Sequence, residues 1–254
     1  MKTLPVLAGL LLFGTVAAQD PATTEPAKVQ SASERMDELQ EMQQKAIKEW
    51  RDARKNAQAP TDGKPMPAIR MRPDFGPIAD KALAHAKDFA GKDEAIDFLM
   101  MVVNLDQKKA KGAIETLVSA HVDSPKLSDM GPMMPYLDRI VDADFAEMAM
   151  GKLMKSKAPA VRGWALFTKH ASVIESADRE GDEYKDARSK LMAVAEEAGD
   201  DALASQIRGA IDEREKLGVG CEAPDIAGVD LDGVAFKLSD YKGKVIFLDF
   251  WGDW

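Results

Sequence analysis

Cysteine is almost absent from this chain, with Cys221 alone among 254 residues. A single thiol cannot close an internal disulfide, so no disulfide framework holds the fold. The same scarcity excludes a Cys-x-x-Cys redox pair and a Cys-x-x-Cys-His haem attachment within these residues. Histidine is nearly as rare. His85, His121 and His170 lie far apart without ligand spacing, so no metal site is legible and no cofactor is implied. Positive charge is also in deficit, with 34 Lys and Arg against 43 Asp and Glu. No basic stripe interrupts that balance, and a net negative surface repels phosphate backbones, which argues against nucleic acid as a partner. A hydrophobic content of 45% nevertheless suffices for a real core in one or two domains.

The one long apolar run is at the start, from Leu4 to Val16 behind Lys2, and it closes on the small residues Ala17-Ala18 before polar Gln19-Asp20. A basic residue, an apolar stretch short for a stable span and a small-residue exit describe a secretory signal over residues 1–18. A retained membrane helix would need a longer run with basic flanks after it. The expectation is an exported, periplasmic or extracytoplasmic protein without a membrane span once the signal is cleaved. Residues 19–32 are polar and proline-bearing, as in a disordered leader.

Ser31 and Glu34 have capping-box spacing, which starts an amphipathic helix over 33–56. Met36, Leu39, Gln43, Ile47 and Trp50 share one of its sides, a narrow stripe suited to docking on the body or to a short coiled coil. Five prolines between Pro60 and Pro77 mark 57–77 as a linker. From 78 to 216 the period is helical. Apolar positions recur at three-four spacing over 94–103, 108–120, 144–155, a stretch opening near Pro159, 184–199 and 200–216. Such helices joined by short turns predict an α-solenoid-like or bundle domain. Most of the 14 methionines, together with Trp50 and Trp164, sit on these apolar faces and read as core packing.

At Leu217 the register changes. Asp232-Gly233 is a hairpin signal between Ile226–Leu231 and Val234–Leu238. Val245–Trp251 is an apolar run broken only by Asp249, and its β-branched and aromatic content predicts a central strand buried on both faces. An acid inside such a strand is expensive unless it has a partner or a task.

Ala223-Pro224-Asp225, then Asp230-Leu-Asp-Gly233, Leu238-Ser-Asp-Tyr-Lys-Gly-Lys-Val245 and Leu248-Asp-Phe-Trp-Gly-Asp-Trp254 together resemble the opening of a redoxin domain. The resemblance is to the exported TlpA-like branch near the AhpC/TSA and thioredoxin families. The arrangement of a signal, a helical region and this domain is similar to large redoxins of planctomycete-type bacteria. The implied fold class is therefore mainly α, followed over 217–254 by the first β-strands of a truncated thioredoxin-like α/β domain.

In that family the aromatic segment leads into Cys-x-x-Cys. The resemblance implies that Asp249 is the buried acid that moves a proton to or from the inner cysteine, a task that a raised carboxyl pKa suits. It implies that Trp251 and Trp254 flank the active-site turn, although simple packing of a strand end accounts for them equally. Cys221 matches neither active-site cysteine and receives no catalytic role, so no nucleophile is assigned in this chain.

Thiol–disulfide exchange requires an attacking thiolate and a resolving thiol. Residues 1–254 alone are therefore expected to be inert, with a poorly stable tail. Trp254 aligns with the residue before the family's nucleophile. A selenocysteine codon read as a stop, a frameshift, a contig edge or a true truncation each accounts for that coincidence. The leading expectation is an exported thiol–disulfide oxidoreductase acting on protein or small-molecule disulfides, recycled by an unidentified redox partner. The alternative is a helical binding or scaffold protein with a vestigial redoxin tail.

Overall fold

The computed structural model describes residues 30–56 and 71–249. The signal (1–18), all but the end of the leader, linker residues 57–70 and the tryptophans at 251 and 254 lie outside the described residues. Helix α1 (Ala32–Asn56) starts directly after Ser31, one residue before the expected start. Helix α2 (Gly76–Asp88) begins two residues before the helical region was expected to start, at 78. The reason is that Pro77 falls in its first turn, where a missing N–H costs nothing.

Helices α3 (Glu94–Leu105), α4 (Gln107–Ala120), α6 (Ala143–Leu153), α7 (Pro159–Ser176), α8 (Asp182–Glu197) and α9 (Asp201–Asp212) occupy the periodic segments. Asp106, Asp142 and Asp200 cap three of them, each accepting a first-turn backbone N–H. Between α4 and α6 the chain departs from the expected pattern. Pro125–Tyr136 is a run of 3-10 turns, followed by the single helical turn α5 (Leu137–Ile140). Pro132 and Pro135 remove the donors that an α-helix would need there.

Neighbours in sequence pack as neighbours in space: α2 on α3, α3 on α4, α7 on α8 and α8 on α9, with the 3-10 run lying against α7. The described residues are thus mainly helical, as expected. A single hydrophobic cluster runs through it from Leu39 to Ile211, with Phe98, Ile114, Met130 and Leu191 among its fully enclosed members. Met130 and Met134 of the 3-10 run are core residues, whereas Met148 and Met71 are exposed. Trp164 is buried, and its indole N–H donates to Asp200 at 3.0 Å. Trp50 is only half-buried and carries the Arg54 guanidinium 4.9 Å above its ring, so it is no core anchor. No described helix is long and apolar enough to cross a membrane.

The final helix was expected to run to Lys216. Its α-geometry ends at Asp212, and Glu213–Leu217 widen into a π turn. Beyond it, β1 (Ala227–Val229) and β2 (Ala235–Lys237) pair antiparallel, with Gly228 opposite Phe236. Gly233 takes φ of +82° at the turn, a conformation glycine adopts without steric cost.

The expectation for Val245–Trp251 is corrected over residues 245–249. They form no strand, and Val245 and Phe247 are 103% and 91% exposed. A strand buried on both faces needs hydrogen-bonding neighbours at its edges and layers above and below. The described residues supply only the two short strands of the hairpin, which pair with each other.

Candidate functional site

The segment after α9 is tied to the helical domain by polar contacts rather than by apolar packing. The π turn turns the Glu215 carboxylate back toward α8. There it accepts from the Tyr184 hydroxyl at 3.0 Å and from Arg188 Nε at 2.6 Å. Arg188 pulls the Glu215 carboxyl below its ordinary value, and the Tyr184 bond acts in the same direction. Tyr184 is itself buried, and burial followed by its bond to Glu215 raises its phenol pKa. Arg214 donates to the Ala177 carbonyl at 3.0 Å and so fixes the turn to the end of α7.

Cys221 belongs to this junction. Its Sγ lies 2.8 Å from an Arg179 guanidinium nitrogen, and its thiol reaches the Glu215 carbonyl at 3.0 Å. The side chain thus closes the loop from Gly218 onto the turn. A cavity of about 620 Å³ opens beside it, bordered by Arg179, Asp212, Glu215, Leu217, Cys221 and Pro224. The anchor is not legible in the sequence. Its partners are 27 to 42 residues apart, and no local pattern marks Glu215 among its charged neighbours.

The pieces of the redoxin-like motif meet beyond the junction. Asp225 accepts from the Ser239 backbone N–H at 2.8 Å and from its hydroxyl at 3.0 Å, joining Ala223-Pro224-Asp225 to the Leu238–Lys244 stretch. Asp230 accepts from the Asp232 and Val234 amides, at 2.9 and 2.8 Å, and so shapes the hairpin tip. Asp240 accepts from the Lys237 amide at 2.8 Å, and Phe236 packs edge-on to Tyr241. An open hollow of about 610 Å³ lies between the two pieces, along Pro224, Asp225, Ser239, Tyr241 and Ile246.

This hollow holds no thiol and no histidine. Of its two hydroxyls, that of Ser239 is engaged by Asp225, and the other is the phenol of Tyr241. Its described lining thus lacks the thiol that disulfide exchange needs. Asp249 is exposed and lies in the irregular stretch after the hollow. The enclosure that an internal proton-transfer acid requires does not surround it here. The expected flanking residues Trp251 and Trp254 are outside the described part.

Part of the chain has relatives among characterised proteins. Over 47 residues it is 45% identical to the thiol-disulfide oxidoreductase ResA of Bacillus cereus, covering 18% of this chain and 27% of that protein. Over 42 residues it is 50% identical to ResA of Geobacillus kaustophilus, covering 16% and 24%. Over 41 residues it is 44% identical to ResA of Bacillus subtilis, covering 16% and 23%. A short part of the chain is similar to thiol-disulfide oxidoreductases. The chain spans about a quarter of the length of these relatives. No family model and no solved structure matches it.

Proposed function

We propose that this chain belongs to an exported thiol–disulfide oxidoreductase of the TlpA-like redoxin type, in which a helical domain precedes a thioredoxin-like domain. The observation that carries this reading is the 45% identity to ResA over 47 residues, which we assign to the C-terminal segment that holds the Asp225–Ser239 joint. Export rests on the character of residues 1–18.

The chemistry proposed is two-step exchange. A thiolate or selenolate attacks a substrate disulfide, forms a mixed disulfide and releases one substrate thiolate. A second thiol then displaces the other substrate sulfur, so two electrons pass to the substrate and the enzyme pair ends oxidised. Asp249 is proposed to take or return the proton of the inner thiol once it is enclosed, with Trp251 and Trp254 beside the active-site turn. The chain contains only Cys221, so residues 1–254 alone cannot complete both steps.

A second reading, a helical binding protein with a vestigial redoxin tail, rests on the helical domain, which holds the whole core cluster among the described residues. Protein purified from its native source distinguishes the two when assayed with dithiothreitol and insulin or a small aromatic disulfide. Catalytic reduction well above the rate with thiol alone is expected, together with inactivity of recombinant residues 1–254. Native protein that contains no second chalcogen residue by mass spectrometry and reduces nothing refutes the oxidoreductase.

A further inference from the structure

Helix α1 touches the rest of the helical domain chiefly along α2, and its polar anchors converge on one histidine. Leu39 is fully buried, and Met36, Met42 and Ala46 pack partly against the core. Around these, Glu38 pairs with Lys81, and Arg35 pairs with Asp88 at 2.5 Å. Arg35 also covers the Phe89 ring, 5.3 Å from its centroid, and lies 3.1 Å from His85 Nδ1.

The identity of the donor settles the state of that imidazole. A guanidinium has N–H donors and no acceptor, so His85 Nδ1 must accept and the ring must be neutral. The ring proton then sits on Nε2, which is buried without a partner among the described residues. Every element around His85 matters to the charge balance. From α1 come Arg35 and Glu38, and from α2 come Lys81 and Asp88, while α3 presents the uncharged Phe98 ring at 5.4 Å. The nearest nitrogen to the imidazole is thus a cation that can only donate.

We propose that α1 is a pH-released arm of the helical domain, held through the acceptor nitrogen of His85 and let go when that nitrogen is protonated. A proton on Nδ1 turns the Arg35 contact into two donors facing each other, both on cations, with no acceptor between them. Arg35 then leaves, and with it go the Asp88 pair and the cover over Phe89. The shift of His85 has the matching sign. Burial lowers its pKa first, and Arg35 and Lys81 lower it further. A histidine depressed in the docked state favours docking above its ordinary value of 6.5, and that preference is lost as pH falls below it. Glu38 is held below its ordinary value, first by its hydrogen bond to Lys81, so that ion pair stays charged at pH 5.

The test is backbone hydrogen exchange of α1 in the full chain at pH 7.5 and pH 5, corrected for intrinsic rates. If the docked state refuses the proton entirely, α1 protection falls up to about 30-fold at pH 5, given an ordinary histidine pKa of about 6.5. His121 and His170 also have lowered values through burial, so two variants isolate His85. His85→Gln keeps an acceptor for Arg35 and cannot charge. Arg35→Gln removes the cation, and its amide can turn to accept from a protonated ring. Loss of the α1 response in both variants, with wild-type protection at pH 7.5 in at least one, supports the arm. A wild-type α1 whose protection is unchanged at pH 5, or a response that persists in both variants, overturns it.

Discussion

Gly131 is where the helical core leaves no room for a side chain. It lies in the 3-10 run and is buried against α7. A Cβ at this position would stand 2.2 to 2.4 Å from three atoms of the Trp164 indole. These are fused-ring atoms, not the free end of a flexible chain. The indole is also held from two other sides, edge-on by Phe167 and through its N–H to Asp200, the residue that caps α9. Gly131→Ala must therefore displace the ring or the 3-10 backbone. Overpacking of this kind costs about 1–3 kcal/mol. A ring shift that breaks the bond to Asp200 adds about 1 kcal/mol.

A loss of roughly 2–4 kcal/mol lowers the melting temperature of a domain this size by about 5–15 °C, measurable by circular dichroism. Gly112→Ala on α4 is the control. Nothing lies within 4 Å of its added methyl, and alanine there stabilises by up to about 1 kcal/mol. In a Trp164→Phe background the cost of Gly131→Ala shrinks by at least about 1 kcal/mol, because the smaller ring makes space and needs no acceptor. Gly131→Ala within about 0.5 kcal/mol of wild type, or an undiminished cost beside Phe at 164, refutes the assignment of a rigid contact.

Two further outcomes concern the junction. Glu215→Gln keeps an acceptor for Tyr184 but discharges the partly exposed pair with Arg188, and it costs about 0.5–1 kcal/mol at pH 7. Because the Glu215 carboxyl is lowered in the folded state, its contribution is present above the ordinary value of 4.5 and lost as pH falls through the lowered one. Urea midpoints that differ between wild type and variant at pH 7 but converge by acid pH bear this out. Ending the chain after Leu217 leaves the melting temperature of the helical domain within about 3 °C, since no described residue beyond Ile211 belongs to its core cluster. A larger fall would show that the tail supports the helices.

The helical domain was legible because its core positions repeat every three to four residues, and tertiary packing uses those same faces. The hairpin was legible because Asp232-Gly233 supplies the one residue that accepts φ of +82° at the turn. Two local departures were not. Pro132 and Pro135 break the helical period without announcing the 3-10 run that replaces it, and no pattern around Glu213 signals a π turn. The Glu215 anchor was hidden for another reason. A carboxylate is defined by what faces it, and Tyr184 and Arg188 come from a different helix.

The run at 245–249 shows how far hydrophobicity alone can lead. Val245, Ile246, Phe247 and Leu248 have the composition of an interior strand, and burying each such side chain contributes about 1.5–3 kcal/mol. Composition supplies that incentive but not the geometry, because backbone N–H and C=O groups enter an interior only when neighbouring strands accept them. Where those neighbours are missing, as they are among the described residues, the apolar run stays in water and Asp249 with it. The proton-transfer role proposed for Asp249 depends on the same condition. An internal proton carrier must be shielded from water, and only a strand carried into an apolar layer would shield it. Enclosure of the strand and function of the acid are thus one event, and the two must appear together or not at all.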